Sequence, residues 1–489
     1  MATSTAAPHP DLIAGADSRH PLDLVLVNAP LRDYGVRPRV NDFTLPVLGM
    51  AYIATVAARH GHNVGVLDAE ALGLGIGDTA ALVNRARPRW AGFNLLAPTY
   101  QISATIAAAL DPDIRVLLGG HQAKAMPVEI LTDPRMLRCG ALVVGEAETR
   151  VVELLDDHRS RSRLPGVMWL DPVLHSPVIG GMPGTGHYLA PDIDAMPFVD
   201  RTYLADDPHV EGGRVEANMV GARGCPYNCS FCGAAVSANP DVQIRVRKAD
   251  NIIDEMTALR DELGVTAFRF VDDLFLGARR VIDAMMDGFT AAGVGEWARW
   301  DATGRINVLD RIPDATLDVL AANGLREVAV GIESGNEAML EHIDKRITPA
   351  MALRVVDRLL AHGISVKGYF ILGFPGETTA QMDDTENLIH RLWEVADTRD
   401  GVFRSSVFEF RPYPGTPEWT RLMATGRYTS EQLLDYAPVD LTAGGVDQAM
   451  LGRDEFNFAV PVRLSDAPPG YVRDKLTSLS RTQYARLHG

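Results

Sequence analysis

The strongest constraint on the fold is a rhythm: short apolar runs, closed by Gly, Pro or polar residues, alternate with longer stretches of helical apolar spacing. In the first third the runs fall at Leu22–Val27, Val64–Leu67, Trp90–Leu96, Ile114–Leu118 and Ala141–Val144, with a helical pattern over Val47–Ala58. Alternating units of this kind imply parallel strands joined by crossover helices, so an α/β fold is expected, with a doubly wound Rossmann-like sheet over 21–155. Its ligands would sit beyond the strand C-termini, at Asn28–Pro30, Asp68, Leu96–Thr99, Gly119–His121 and Gly145–Glu146.

Over about 156–212 the periodicity collapses into segments such as LPGVMW, GGMPGTGHYLAPDIDAMP and DDPHVEGG. An extended connector containing a domain boundary is expected there. Six further strand–helix units follow, with strands near 214–221, 266–271, 297–302, 327–331, 364–371 and 405–411. Their helices carry apolar stripes, among them Ile252, Ile253, Met256 and Leu259, and Val281, Ile282, Met285, Met286 and Phe289. Thr348 before Pro349 is an N-cap signal. The six units predict a partial (βα)6 barrel over 213–430 with its active face at the strand C-termini. Residues 431–489 read as a small C-terminal cap, and 1–20 as a disordered tail.

A formal net charge of −16 argues against a sequence-independent nucleic-acid binder, which needs clustered Lys and Arg. Val47–Ala58 and the other apolar stretches fall well short of the roughly 20 residues that span a bilayer. The first twenty residues lack the apolar core of a signal peptide, so a cytoplasmic location is expected. Four cysteines occur, three of them within eight residues, Cys225, Cys229 and Cys232. That clustering reads as a metal site in a reducing compartment rather than as a disulfide framework.

The segment GARGCPYNCSFCGAA places these cysteines in a C-x3-C-x2-C loop directly after the first barrel strand. Three thiolates on one loop can bind three irons of a 4Fe-4S cluster and leave the fourth without a protein ligand. A closed structural zinc or iron site would need a fourth Cys or His, and no His lies in this loop or close after it.

Spacing and position together resemble the radical S-adenosylmethionine (SAM) superfamily. The resemblance implies a 4Fe-4S cluster, SAM bound through its amino and carboxylate groups to the open iron, and reductive cleavage to a 5'-deoxyadenosyl radical that abstracts hydrogen from substrate. It also implies a low-potential reductant of flavodoxin or ferredoxin type. On the same basis Phe231 is the motif's aromatic position beside adenine. FRFVDDLF offers Asp272 and Asp273 for the SAM amino group, or else a solvated turn. VGIESGNEAML offers Glu333, Ser334 and Gly335 near the methionine and ribose. GYFILGFPGET places Gly373 near adenine, where glycine permits close backbone approach. Arg305, in WDATGR, would pair with the SAM carboxylate or form a surface ion pair. FEFRPYPGTPEW offers Glu409, Arg411 and Tyr413 to the substrate cavity.

The first domain, from about Leu22 to Leu155, resembles the cobalamin-binding domain fused to many radical SAM enzymes, through NAP, LPVLGMAYIATVAARHGHNVGVLDAE, LLGGHQAKAMP and VVGEAE. It departs from the pattern in three places. The axial-histidine motif D-x-H-x-x-G is absent, Glu70 standing in DAEALG. GGHQAKA supplies Gln122, Ala123 and Lys124 where a small hydroxyl residue is usual, and Ala147 replaces a common glycine. His121 reads as a hydrogen-bonded loop histidine and Cys139 as a small buried hydrophobe. The resemblance implies hydrogen abstraction from a small polar natural-product intermediate, as in antibiotic biosynthesis, with cobalamin-dependent C-methylation as one outcome. The alternative is a cobalamin-independent dehydration, elimination or epimerisation of an aminoglycoside-like, cationic sugar, the first domain being a retained scaffold. No nucleic-acid or membrane partner is expected.

Overall fold

The computed structural model describes residues 12–36, 45–181, 188, 190–238, 244–438 and 458–488. They fall into two compact units, Met1–Pro191 with Ala195–Asp207, and Asp192–Asp194 with Pro208–Gly489.

In the first unit, β1 (Leu24–Asn28), β2 (Val64–Asp68), β3 (Trp90–Asn94), β4 (Arg115–Gly119) and β5 (Cys139–Val143) pair in parallel in the order β2-β1-β3-β4-β5. The strand order reverses between β1 and β3, which sends successive crossover helices to opposite faces. Helix Leu48–Arg59 accordingly packs beside Glu148–Asp156, and Ile76–Ala86 beside Tyr100–Ala108. The strands are buried because both faces are covered, which is why they read as apolar runs rather than as an alternation.

Two expectations about this unit change. The stretch read as connector carries β6 (Val167–Leu170) and β7 (Pro177–Ile179), which extend the first sheet antiparallel from β5. Strands this short at a sheet edge lack the apolar length that marks a buried one, so the sequence pattern misses them. The expected tail is ordered from residue 12. Ile13 is buried in the core, Ala14 exchanges backbone hydrogen bonds with Val66, and Asp17 N–H donates to Asn63. Residues 1–11 lie outside the described residues.

The second unit is a curled sheet in the order β16-β15-β14-β13-β12-β9-β8. β8 (His209–Glu211) forms an antiparallel hairpin with β9 (Arg214–Met219), and the short pair β10 (Ala222–Arg223) and β11 (Arg245–Val246) follows. The parallel strands β12 (Ala267–Phe270), β13 (Arg299–Gly304), β14 (Leu325–Glu333), β15 (Ser365–Leu372) and β16 (Phe403–Glu409) complete six-stranded parallel pairing with β9. Outward residues such as Phe268, Phe270, Trp300, Val328, Val330, Val366 and Phe370 form the core with the helices. Their alternates face the barrel lumen.

At the lumen floor a bulge lets Arg326 and Glu327 both oppose Asp301. Arg326 pairs with Asp301 and with Glu216 (3.0 Å), and Arg404 pairs with Glu327. The open edge at β16 is covered by helix Tyr471–His488, whose Gln483 accepts from Ser405 N–H and Trp393 Nε1. This helix lies within the stretch 431–489 read as a cap; 439–457 lie outside the described residues. Among the described residues no helix is long and apolar enough to cross a membrane.

Candidate active site

β9 delivers the chain to the cysteine loop through a turn held from below. Asp272, past the end of β12, accepts the Gly221 N–H at 2.9 and 3.1 Å. Gly221 lies so close to Phe275 that a Cβ would come within 2.4 Å of its ring, so glycine is required there. Arg247, paired with buried Glu255, donates to the Val220 carbonyl at 2.9 Å. Beyond this turn Cys229 is buried, while Cys225 and Cys232 are partly so. Ser230 pins the loop twice: its N–H donates to Ile343 O (3.0 Å), and its hydroxyl donates to Glu418 Oε2 (3.1 Å) while Glu418 N–H returns a bond to Ser230 O.

Burial pushes the Cys225 thiol up and the Cys232 thiol up to about 12. Free thiolates are therefore disfavoured in this pocket, and a metal is what would hold them ionised. Among the described residues no group of three His, Cys, Asp or Glu side chains converges on a single ion. A donor set of three thiols spread along one loop suits a cluster, in which each thiolate takes a different iron. The residues present thus fit a 4Fe-4S group held by Cys225, Cys229 and Cys232.

Around these thiols the fold gathers several of the expected residues. Phe231 meets Phe374 edge to face, centroids 5.6 Å apart, which brings the Gly373 loop against the cysteine loop. Gly373 has φ +88°, with Val472 and Glu409 beside the position a Cβ would take. Glu333 ends β14 with φ +68°, a strained backbone for a non-glycine residue, and its carboxylate accepts from buried Lys345 Nζ at 2.6 Å. Lys345 Nζ also lies 5.9 Å from the centre of the Phe231 ring. Arg305 is buried, with Nη1 3.4 Å from Cys229 Sγ and Nη2 donating to Lys345 O at 2.6 Å. That engagement differs from a surface ion pair.

Other expected residues are placed differently. Asp272 turns inward onto the Gly221 amide, and burial pushes its carboxyl up to about 7 despite the backbone donors. Asp273 is the exposed member of the pair and the one whose charge is felt at Cys225 and Cys232. Ser334 Oγ lies 3.2 Å from Thr385 Oγ1, and Gly335 N–H donates to the same oxygen. A Cβ at Gly335 would stand 2.3 Å from Asp384 O, so the segment docks onto helix Thr379–Ala396. At the end of β16, burial raises the Glu409 carboxyl, and the Arg411 guanidinium lies 5.4 and 5.9 Å from the ring centres of Phe408 and Tyr413.

Sequence reasoning missed Lys345, Tyr227, Ser230, Glu418 and Glu377. Only Glu377 had a visible signal, as the acid of GFPGET. Fully buried, it accepts from Gly373 and Phe374 N–H through Oε2 (2.7 and 3.0 Å), while Oε1 has no partner. Burial raises its carboxyl from 4.5 to about 7. The folded chain therefore holds a proton that the unfolded chain releases, so stability falls as pH rises between these values and levels off above them. We expect Glu377→Gln to remove that part of the slope, at most about 3 kcal/mol between pH 5 and 8 by urea unfolding, leaving the Asp272 contribution of the same sign. An unchanged slope would count against a neutral Glu377.

In the first unit the topological switch lies between β1 and β3, where open α/β sheets bind their ligands. Exposed apolar side chains collect on the loops leaving these strand ends: Val36 and Leu45 after β1, Leu72 after β2 and Leu96 after β3. Such a face suits a ligand with a broad apolar surface, as the corrin of cobalamin has. Gly120 (φ +95°) after β4 packs so tightly that a Cβ would overlap Asn94 and Leu95. Glu70 accepts from Leu31 N–H and Tyr34 OH at 2.7 Å each, so it shapes the β1 loop. That loop contains no histidine.

Comparison with known proteins matches a family model in each of the two units. Residues 219–389 match the family model described as the radical SAM superfamily, and 39–155 match the B12 binding domain. An uncharacterized methyltransferase of Pyrococcus horikoshii is 27% identical over 407 residues, covering 82% of this chain and 84% of that protein. The cytidylyl-2-hydroxyethylphosphonate methyltransferase of Streptomyces wedmorensis is 26% identical over 380 residues, covering 67% and 69%. Among solved structures, the radical SAM methyltransferase TsrM from Kitasatospora setae, with cobalamin and a 4Fe-4S cluster bound, matches with a TM-score of 0.60 at 18% identity, covering 85% of this chain and 77% of that one. The cobalamin-dependent SAM radical enzyme OxsB, with aqua-cobalamin and SAM bound, also matches at 0.60, with 14% identity and coverage of 83% and 61%. The chain thus carries a radical SAM domain preceded by a B12 binding domain.

Proposed function

We propose that this radical SAM enzyme uses cobalamin to methylate carbon on a small polar natural-product intermediate. The observation that carries the proposal is the coexistence, on one chain, of a three-thiol loop at the mouth of a barrel and an apolar face at the switch point of a Rossmann-like sheet. When bound, the cluster and SAM supply one-electron chemistry and cobalamin supplies a methyl carrier. Two relatives named as methyltransferases, covering 82% and 67% of this chain, support the same reading.

The chain's own residues divide the work. Cys225, Cys229 and Cys232 hold the cluster; Phe231 and the Gly373–Phe374 loop form a wall for the co-substrate. Asp273 and Glu333 offer acidic groups on either side, Glu333 being steadied by Lys345. Glu409, Arg411 and Tyr413, at the end of β16, meet the substrate. A cationic sugar finds less support: the lumen-floor acids Glu216, Asp301 and Glu327 are each paired to arginine. A polar substrate, neutral or anionic, fits that balance better. The electron would come from a flavodoxin- or ferredoxin-type donor.

Protein purified from cells supplied with cobalamin is expected to carry about one cobalt per chain and to show a corrinoid absorption spectrum. With methyl-labelled SAM and a low-potential reductant, label should pass to a carbon of the acceptor. A preparation coloured by iron alone, with no cobalt, would sink the methyl-transfer proposal and leave the radical SAM assignment standing.

A further inference from the structure

Arg305 follows β13 at the N-cap of the short helix Ile306–Leu309 and reaches back beneath the cysteine loop. Three contacts fix its guanidinium: Nη2 donates to Lys345 O at 2.6 Å, the plane lies 3.5 Å over the Tyr227 ring, and Nη1 points at Cys229 Sγ at 3.4 Å. The side chain is buried, 6% exposed, and its Nε has no partner. A buried guanidinium left partly unsatisfied is costly unless a further acceptor or negative charge is expected beside it. The ring of Tyr227 and the Lys345 carbonyl hold the fork in place whether or not that charge is present.

We propose that Arg305 is a positioning residue that sets the reduction potential of the cluster held at Cys229. It rests on the cluster-binding assignment above. In the redox step one electron enters the oxidised cluster from a low-potential one-electron donor, with no bond made or broken. A cationic donor on a ligating sulfur withdraws charge from the thiolate and stabilises the reduced, more negative state, so it raises the potential. Tyr227 contributes indirectly, by keeping the guanidinium plane aimed at the sulfur.

The test uses the full chain, anaerobically reconstituted with iron and sulfide, and needs neither substrate nor cobalamin. Iron content, the visible spectrum and the midpoint potential, followed by the electron paramagnetic resonance of the reduced cluster, are measured for wild type, Arg305→Met, Arg305→Lys and Tyr227→Leu. The expected result is full iron occupancy with a more negative potential in Arg305→Met and smaller shifts of the same sign in the other two. Should the methionine variant fail to retain iron, Arg305→Gln, which removes the charge and keeps a polar side chain, is measured and decides in the same way. A potential equal to wild type in an iron-replete Arg305→Met or Arg305→Gln chain overturns the proposal, whatever happens to SAM affinity, and would assign Arg305 to the co-substrate carboxylate or to folding. A wild-type chain that takes up no cluster overturns both this inference and the cluster assignment.

Discussion

Replacing Cys225, Cys229 or Cys232 by alanine is expected to lower reductive SAM cleavage by at least ~1000-fold and to remove most of the bound iron, because two thiolates cannot hold a cubane whose fourth iron already lacks a protein ligand. Cys139→Ala is the matched control. Cys139 is buried in the first unit, where desolvation pushes its thiol up to about 12, so it offers neither a thiolate nor access. Release of 5'-deoxyadenosine in the presence of dithionite, together with iron and sulfide content, reads both. An alanine variant at Cys229 that kept wild-type iron and turnover would remove the foundation of the active-site assignment.

The second large effect is on stability. Lys345→Met is expected to cost about 3–5 kcal/mol, since it strands the buried Glu333 carboxylate on a backbone already held at positive φ. The penalty belongs to the unpaired charge more than to the lost attraction. Glu333→Gln combined with Lys345→Met should therefore recover most of it, the pair being in direct contact and so non-additive. Urea unfolding followed by near-ultraviolet circular dichroism makes the comparison. A double variant as unstable as the single one would place the loss in packing against Phe231 instead.

Much of this molecule is written locally. The parallel strands of the first sheet follow from apolar runs at the right spacing, because strands buried on two faces advertise themselves by composition alone. The cysteine loop is equally explicit. The failures share a physical origin, namely partners that are distant in sequence or phases that shift at strand ends. Asp272 and Asp273 are adjacent and identical in type, and β12 has ended before them, so no alternation says which one turns inward. Glu333 reads as a ligand because Lys345 lies beyond the next helix. Arg326 enters the lumen through a bulge, which periodicity cannot show. The short strands β6 and β7 hide in a region whose Pro and Gly content signals irregular chain.

The Ser230–Glu418 clasp joins residues 188 positions apart. The three thiols belong to the beginning of the barrel, yet the loop that carries them is fastened by the helix after its last parallel strand. Contacts of such long range close late, after the intervening strands have found their register. While the chain is still emerging from the ribosome, the cysteine loop has no Glu418 to grip. A chain truncated before Pro417 lacks that clasp, and it is expected to take up less iron on reconstitution and to present the three cysteines to the solvent as ordinary reactive thiols.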